Sequence, residues 1–220
     1  MMKKAYRAVF FDFDYTLGDA TESIVAGYQY AFRQMGLPEP GVEAIRATVG
    51  MTLPNGYRAL SQDEDEERVR RFQTLYIEKA NPLQVTQTRF FPGAVELLDW
   101  LKDRGVTVAI VSTKRRSVLE EVFAYRHLED KVCFMVGGTD VPRFKPAPDA
   151  ALLALEKAGV RPEEALFVGD TVIDAETARN AGIDFAAVCN GTTRPEAFQS
   201  WPHVFIAADL PELKGWLEAD

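Results

Sequence analysis

Ala8-Val9-Phe10-Phe11-Asp12-Phe13-Asp14-Tyr15-Thr16-Leu17 begins with four apolar residues and then sets two carboxylates two positions apart. A run that is apolar throughout and rich in Val or aromatics fits a strand buried on both faces, whereas a sheet with one wet face alternates. Four more such runs follow: Val106 to Val111 (VTVAIV), Val132 to Val136 (VCFMV), Ala165 to Val168 (ALFV) and Phe185 to Val188 (FAAV). Helical patterns lie between them. Gly93 to Arg104 carries Val95, Leu97, Leu98 and Leu101 and stops at Gly105. Pro148 to Ala158 stops at Gly159, and Ile173 to Ala181 at Gly182, each with the glycine that commonly closes a helix. Strand, helix and strand in repeated order imply right-handed crossovers and a parallel sheet, hence a doubly wound α/β core.

One segment breaks the alternation. From about Asp19 to about Thr88 the patterns are helical, without a convincing strand. Asp19-Ala20-Thr21-Glu22 reads as a capping box opening a helix to about Met35, and Ser61-Gln62-Asp63-Glu64 as another opening a helix through Tyr76. The acidic run Asp63 to Glu67 then falls on a first turn, where the helix dipole favours negative charge. The division expected is a core of residues 1–18 and 89–220 with a helical cap domain of residues 19–88.

The 220 residues suit one large domain or a core with an insert. With 47% hydrophobic and 26% charged residues the chain reads as globular rather than disordered. A net charge of −8 argues against nucleic acid as a partner, since the phosphate backbone calls for a basic face and Lys114-Arg115-Arg116 is too short to make one. Asp12 and Asp14 interrupt the first apolar run after Met-Met-Lys-Lys-Ala-Tyr-Arg, so it is neither a leader core nor a membrane span. The expectation is a cytoplasmic protein, monomer or homodimer, without membrane or nucleic-acid partners. Cys133 and Cys189 each sit in an apolar stretch and read as buried small hydrophobes.

Ligands of open α/β sheets bind beyond the carboxyl ends of the strands. Strand one ends in Asp12 and Asp14, strand two in Ser112-Thr113-Lys114, and strand four in Gly169-Asp170, with Asp174 four residues on. Lys145-Pro146 lies in the loop after the third strand. These groups suit phosphoryl chemistry. Asp12 is placed as a nucleophile, splitting one displacement into two through an aspartyl-phosphate. Asp14 is the acid that protonates the leaving oxygen and then the base that activates water, work that calls for a raised pKa. A carboxylate approaching a phosphate dianion needs a hard cation, and magnesium takes carboxylate and phosphate oxygens. Asp12, Asp170 and Asp174 can hold Mg2+, directly or through water. Lys145 neutralises remaining charge, and Ser112 with the Thr113 amide can bond the transferring oxygens.

These motifs, in this order, resemble the haloacid dehalogenase superfamily over essentially the whole chain, and within it the phosphoglycolate phosphatase-like branch. Asp12-Phe-Asp14-Tyr-Thr16-Leu17 resembles its first motif, Ser112 the second, Lys145-Pro146-Ala-Pro148-Asp149 the third, and Gly169-Asp170-Thr171-Val-Ile-Asp174 the fourth. Phe91-Pro92-Gly93, Gly137 to Pro146 and Ala178-Arg179-Asn180-Ala181-Gly182 carry the likeness to that branch. The resemblance implies a Rossmann-like core with a helical cap inserted just after the first strand. It also implies a small phosphorylated metabolite as substrate, and Mg2+ held by Asp12, the backbone carbonyl of Asp14, and Asp170, with Asp174 close by.

Tyr15 departs from the pattern, because family members usually carry glycine there. It reads either as tolerated packing variation or as a residue that crowds the site or faces the cap and narrows the substrate range. Thr48-Val49-Gly50-Met51-Thr52 resembles the glycine-containing cap loop of related phosphatases. Arg46, Arg58 and Arg89 near the cap, and Arg115 and Arg116 after strand two, read more simply as surface cations. Rival activities are a dehalogenase or phosphonatase, opposed by Asp14, a sugar phosphomutase, opposed by Thr16, a pyrophosphatase, and a catalytically silent binding protein on the same fold.

Overall fold

The computed structural model describes residues 5–219. Met1 to Lys4, part of the stretch read above as neither leader nor span, lie outside the described residues. In chain order the elements are β1 (Ala8–Phe11), β2 (Gly18–Asp19), α1 (Thr21–Gln34), α2 (Val42–Arg46), α3 (Leu53–Ser61), α4 (Glu66–Gln87) and β3 (Arg89–Phe90). Then come α5 (Ala94–Asp103), β4 (Thr107–Val111), α6 (Arg116–Tyr125), β5 (Phe134–Val136), α7 (Asp149–Ala158), β6 (Ala165–Gly169), α8 (Val172–Ala181), β7 (Asp184–Val188), α9 (Pro195–Phe198), β8 (Phe205–Ala207) and α10 (Leu210–Glu218). No helix among the described residues is long and apolar enough to cross a membrane.

The chain divides into two compact units, residues 1–19 with 90–220, and residues 20–89. The first carries a six-stranded parallel sheet in the order β5-β4-β1-β6-β7-β8, and β2 and β3 form a separate two-stranded pair. Side chains of a strand alternate between faces, so continuous apolar runs build two cores at once. Val9 and Phe11 of β1, Val108 and Ile110 of β4, and Leu166 and Val168 of β6 pack with α5, α6 and α10. Ala8, Phe10, Ala109, Val111, Ala165 and Phe167 pack against α7 and α8 on the opposite face. This is the doubly wound core expected from the apolar runs, and it is Rossmann-like, as the resemblance implies.

The second unit is helical. Its core is aromatic: Tyr28 and Phe32 of α1, Tyr57 of α3, and Phe72 and Tyr76 of α4 are buried together, the Tyr57 and Phe72 rings stacking at 4.9 Å. Gly27 admits the close crossing of α1 and α4, since a Cβ there would lie 2.7 Å from that of Ala80. The candidate basic residues are committed locally: Arg46 pairs with Glu43, Arg58 with Glu64 and Glu66, and Arg89 approaches Glu22 at 3.8 Å.

Several local expectations need correction. Asp19 lies in β2, and α1 begins after Ala20 without a side-chain cap. Ser61 closes α3, its hydroxyl donating to the Tyr57 carbonyl at 2.7 Å, and Gln62 turns left-handed at φ 56°. The cap of α4 is Asp65, which accepts from the amides of Glu67 and Arg68 at 2.8 and 3.1 Å, so Asp63 and Glu64 precede the helix. The third strand is shorter than Val132 to Val136, because β5 is an edge strand that starts at Phe134. Cys133 is exposed and Cys189, just past β7, is half-buried, so neither is a buried core residue.

Candidate active site

Parallel register sets the site. Phe11 of β1 pairs with Ile110 of β4 on one side and with Val168 of β6 on the other, so three adjacent strands end together. Asp12, Ser112 and Asp170 leave the sheet at that shared edge, and Ser112 continues the ladder by donating its amide to the Val136 carbonyl at 3.0 Å. Asp12 and Asp14 both lie beyond the end of β1. The loop, rather than strand pleating, brings them together: the amides of Thr16, Leu17 and Gly18 all bond the Phe13 carbonyl.

Lys145 is the hub. Its ammonium donates to Asp12 Oδ1 at 2.7 Å and to Asp174 Oδ1 at 2.6 Å, and all three side chains are at most 5% exposed. Burial alone would lower its pKa, but the two carboxylates outweigh burial and raise it, so the site keeps a fixed positive charge. Burial pushes the Asp12 carboxyl up to about 6, with Lys145 opposing and Asp174 and Asp14 adding to the rise.

Asp174 is tied at both oxygens. Thr171 caps α8, and Asp174 Oδ2 accepts from the Thr171 hydroxyl at 2.6 Å and its amide at 3.1 Å. Asp170 is different. Its Oδ1 accepts only a long 3.3 Å bond from the Thr16 hydroxyl, and its buried Oδ2 has no hydrogen-bond partner among the described residues. Burial, and then the charges of Asp174 and Asp12, hold its pKa well above the usual carboxylate range.

Ligating oxygens of Asp12, Asp170 and Asp174 all lie within 4.8 Å of one another. Three buried carboxylates facing one lysine leave an excess of negative charge, and the orphaned Asp170 oxygen points to where it is met. Hard oxygen donors in this arrangement fit a small divalent cation.

The phosphate-binding candidates follow β4. Ser112 is buried, its hydroxyl accepting from the Lys114 amide at 3.4 Å, and Thr113 is half-buried. Gly138 packs so closely here that a Cβ would clash with the Thr113 carbonyl, which holds the loop in place. Asp14 pairs through Oδ2 with Lys114 at 3.0 Å, and its other oxygen is buried without a hydrogen-bond partner among the described residues. Lys114, whose side chain is only 7% exposed, therefore lies with the candidate site residues rather than in a surface basic run. Arg116 turns elsewhere, to Glu120 and Asp140. Tyr15 is buried at φ 61°, the left-handed conformation in which glycine is unstrained and a side chain is not.

A family model for haloacid dehalogenase-like hydrolases matches residues 9–188, which takes in every residue of this constellation. The chain belongs to the haloacid dehalogenase-like hydrolase family. Phosphoglycolate phosphatase 1 of Pseudomonas aeruginosa is 31% identical to this hydrolase over 199 residues, covering 84% of the chain and 70% of the relative. Phosphoglycolate phosphatase of Rhodobacter capsulatus is 30% identical over 215 residues, covering 96% of each. A solved structure from Bacteroides fragilis, described as a haloacid dehalogenase-like hydrolase, superposes with a TM-score of 0.92 at 32% identity, over 94% of this chain and 99% of that one. This haloacid dehalogenase-like hydrolase is a phosphatase, with a buried aspartate cluster able to bind a metal ion.

Proposed function

We propose that the chain hydrolyses a small phosphate monoester, with 2-phosphoglycolate the first candidate, through an aspartyl-phosphate on Asp12 and with Mg2+ as the cation. The observation that carries this reading is the Lys145 bridge between Asp12 and Asp174 beside the unpartnered Asp170 oxygen. It gives one carboxylate a fixed orientation and leaves another free for a cation. The named activity of the curated relatives suggests the substrate class.

In this reading Lys145 holds Asp12 by Oδ1, so that Oδ2 attacks phosphorus and the ester oxygen leaves. Asp14 gives that oxygen its proton and then takes one from the water that hydrolyses the acyl phosphate, returning both carboxylates to their starting states. Ser112 and the Thr113 amide meet the phosphoryl oxygens, and Lys145 stabilises their charge. Mg2+, held by Asp12, Asp170 and the Asp14 carbonyl with Asp174 in support, would neutralise the phosphoryl dianion. Lys114 keeps Asp14 turned toward the leaving group. Residues 1–18 and 89–220 serve as catalytic core, and the helical residues 19–88 as a cap that selects the substrate.

The test is phosphate release from a panel containing 2-phosphoglycolate, sugar phosphates, nucleotides, pyrophosphate and an aryl phosphate, with Mg2+ or EDTA. Turnover that needs Mg2+ and vanishes in Asp12→Asn is the expected result. Inactivity across the panel, or an Asp12→Asn enzyme near wild-type rate, would rule the reading out.

A further inference from the structure

The turn after β7 reaches the same sheet edge, because β7 pairs with β6 directly beside Asp170. It starts with the half-buried Cys189 thiol, and residues 190–193 carry no ionisable side chain that would mark them as part of the site. Yet Asn190 donates its side-chain amide to the Thr16 carbonyl at 3.2 Å, and Thr16 in turn donates its hydroxyl to Asp170 Oδ1. Gly191 is packed against the other side of that carboxylate. A Cβ on Gly191 would fall well inside the contact distance of Asp170 Oδ2, and 3.0 Å from the Cβ of Tyr15.

Glycine commonly occupies a turn because its backbone takes a positive φ. That explanation fails here. Gly36, Gly50, Gly93, Gly105, Gly159 and Gly182 have positive φ, and Gly191 does not. Its backbone would accept alanine without strain. What excludes a side chain is space, taken on one side by the unpartnered oxygen of Asp170 and on the other by Tyr15.

We propose that Asn190-Gly191 is a positioning element of the active site that fixes the Asp170 carboxylate for the cation, with Gly191 and Tyr15 forming a matched pair. The proposal rests on the metal reading above and adds residues to it. Asp170 Oδ1 is anchored through Thr16, which Asn190 steadies. Asp170 Oδ2 lies against the bare Cα of Gly191, and a Cβ there could not swing away from it without meeting the Tyr15 Cβ. The departure from glycine at position 15 thus acquires a structural consequence: it closes the space into which a side chain at 191 could move.

The pair is tested by Mn2+ binding to the purified full chain, read as loss of the free-ion electron paramagnetic resonance signal, alongside the Mg2+ dependence of turnover. Disturbing residues that support metal ligands typically costs about 10- to 100-fold in affinity, so Gly191→Ala is expected to weaken Mn2+ binding by at least about tenfold while its circular dichroism is unchanged. Turnover should recover in part at high Mg2+, so the metal concentration for half-maximal rate moves more than kcat. In Tyr15→Gly/Gly191→Ala the new methyl can shift into the space the Tyr15 Cβ held, and Mn2+ should bind at least about threefold more tightly than to Gly191→Ala alone, the non-additivity expected of residues in contact. Gly191→Ala binding within about twofold of wild type, or strictly additive effects, overturns the proposal. Should Gly191→Ala not fold, Asn190→Ala introduces no clash. Loss of its bond to Thr16 is expected to weaken Mn2+ about threefold, and no change would equally overturn the proposal. If the wild type binds no Mn2+, the underlying metal reading fails first, and the two failures are distinguished.

Discussion

Asp170→Asn is expected to make the protein more stable and inactive at once. The wild-type carboxylate is 1% exposed, has one long hydrogen bond and an unpartnered oxygen, and lies with Asp12 and Asp174 inside a 4.8 Å cluster that only Lys145 offsets. Asp12 and Asp174 share that one lysine, so Asp170 faces one uncompensated negative charge. At 4.8 Å and an effective dielectric of about 20, one like-charge pair costs roughly 3 kcal/mol. The neutral amide removes that repulsion, a gain of about 2–3 kcal/mol. For a chain of this size that is a rise in Tm of about 4–10 °C.

The sign with pH follows from the direction of the shift. A carboxyl whose pKa is raised on folding costs stability as pH climbs from its unfolded value toward its folded one. The advantage of Asp170→Asn should therefore grow as pH rises above the unfolded carboxylate value and vanish in acid. Thermal unfolding in excess EDTA reads it directly. Added Mg2+ should reverse the order, since binding to the native state stabilises the wild type alone by mass action. An Asp170→Asn protein no more stable than wild type in EDTA at neutral pH would refute the claim that this carboxylate is held in an unfavourable state for a cation.

Three further expectations follow. Lys114→Met, which leaves Asp14 without its ion pair, should lower kcat by about tenfold to a hundredfold, less than the loss of a general acid, with Lys114→Arg recovering most of it in steady-state assays. Tyr15→Gly should be more stable than Tyr15→Ala by about 1 kcal/mol in urea unfolding, reversing the usual order, because alanine keeps the left-handed strain at φ 61° and glycine relieves it. Because burial raises Asp12 to about 6, protons should compete with the metal at this carboxylate below that value. Mn2+ affinity should accordingly rise as pH increases through about 6, with proton release detectable by calorimetry in buffers of different ionisation enthalpy.

Much of this was legible in the sequence because the signals were of residue type. Buried strands announced themselves as apolar runs, Asp12, Ser112 and Asp170 as charged or polar groups at their ends, and Lys145 as a charged residue in the loop after the third strand. The three residues of β8 were too short a run to stand out, and the edge position of β5 trimmed the strand there and exposed Cys133. The cap of α4 is Asp65 rather than Ser61, since only the geometry says which residue precedes the first helical turn. In the site, Lys114 was visible at its strand end but its partner was not. Asn190 and Gly191 act through a carbonyl and through an absent side chain, and neither has a residue-type signature. Tyr15 was visible as a departure, and its left-handed φ gives the physical reason that glycine is usual at the position.

The most direct measurement is capture of the covalent intermediate. Enzyme turning over 2-phosphoglycolate or an aryl phosphate with Mg2+ would be acid-quenched, reduced with borohydride and digested for peptide mass spectrometry. An acyl phosphate on Asp12 reduces to homoserine, so the expected product is homoserine at position 12, absent without substrate and absent in Asp12→Asn. Phosphate release at full rate with position 12 always recovered as aspartate, or with homoserine at another carboxylate, would contradict Asp12 as the nucleophile.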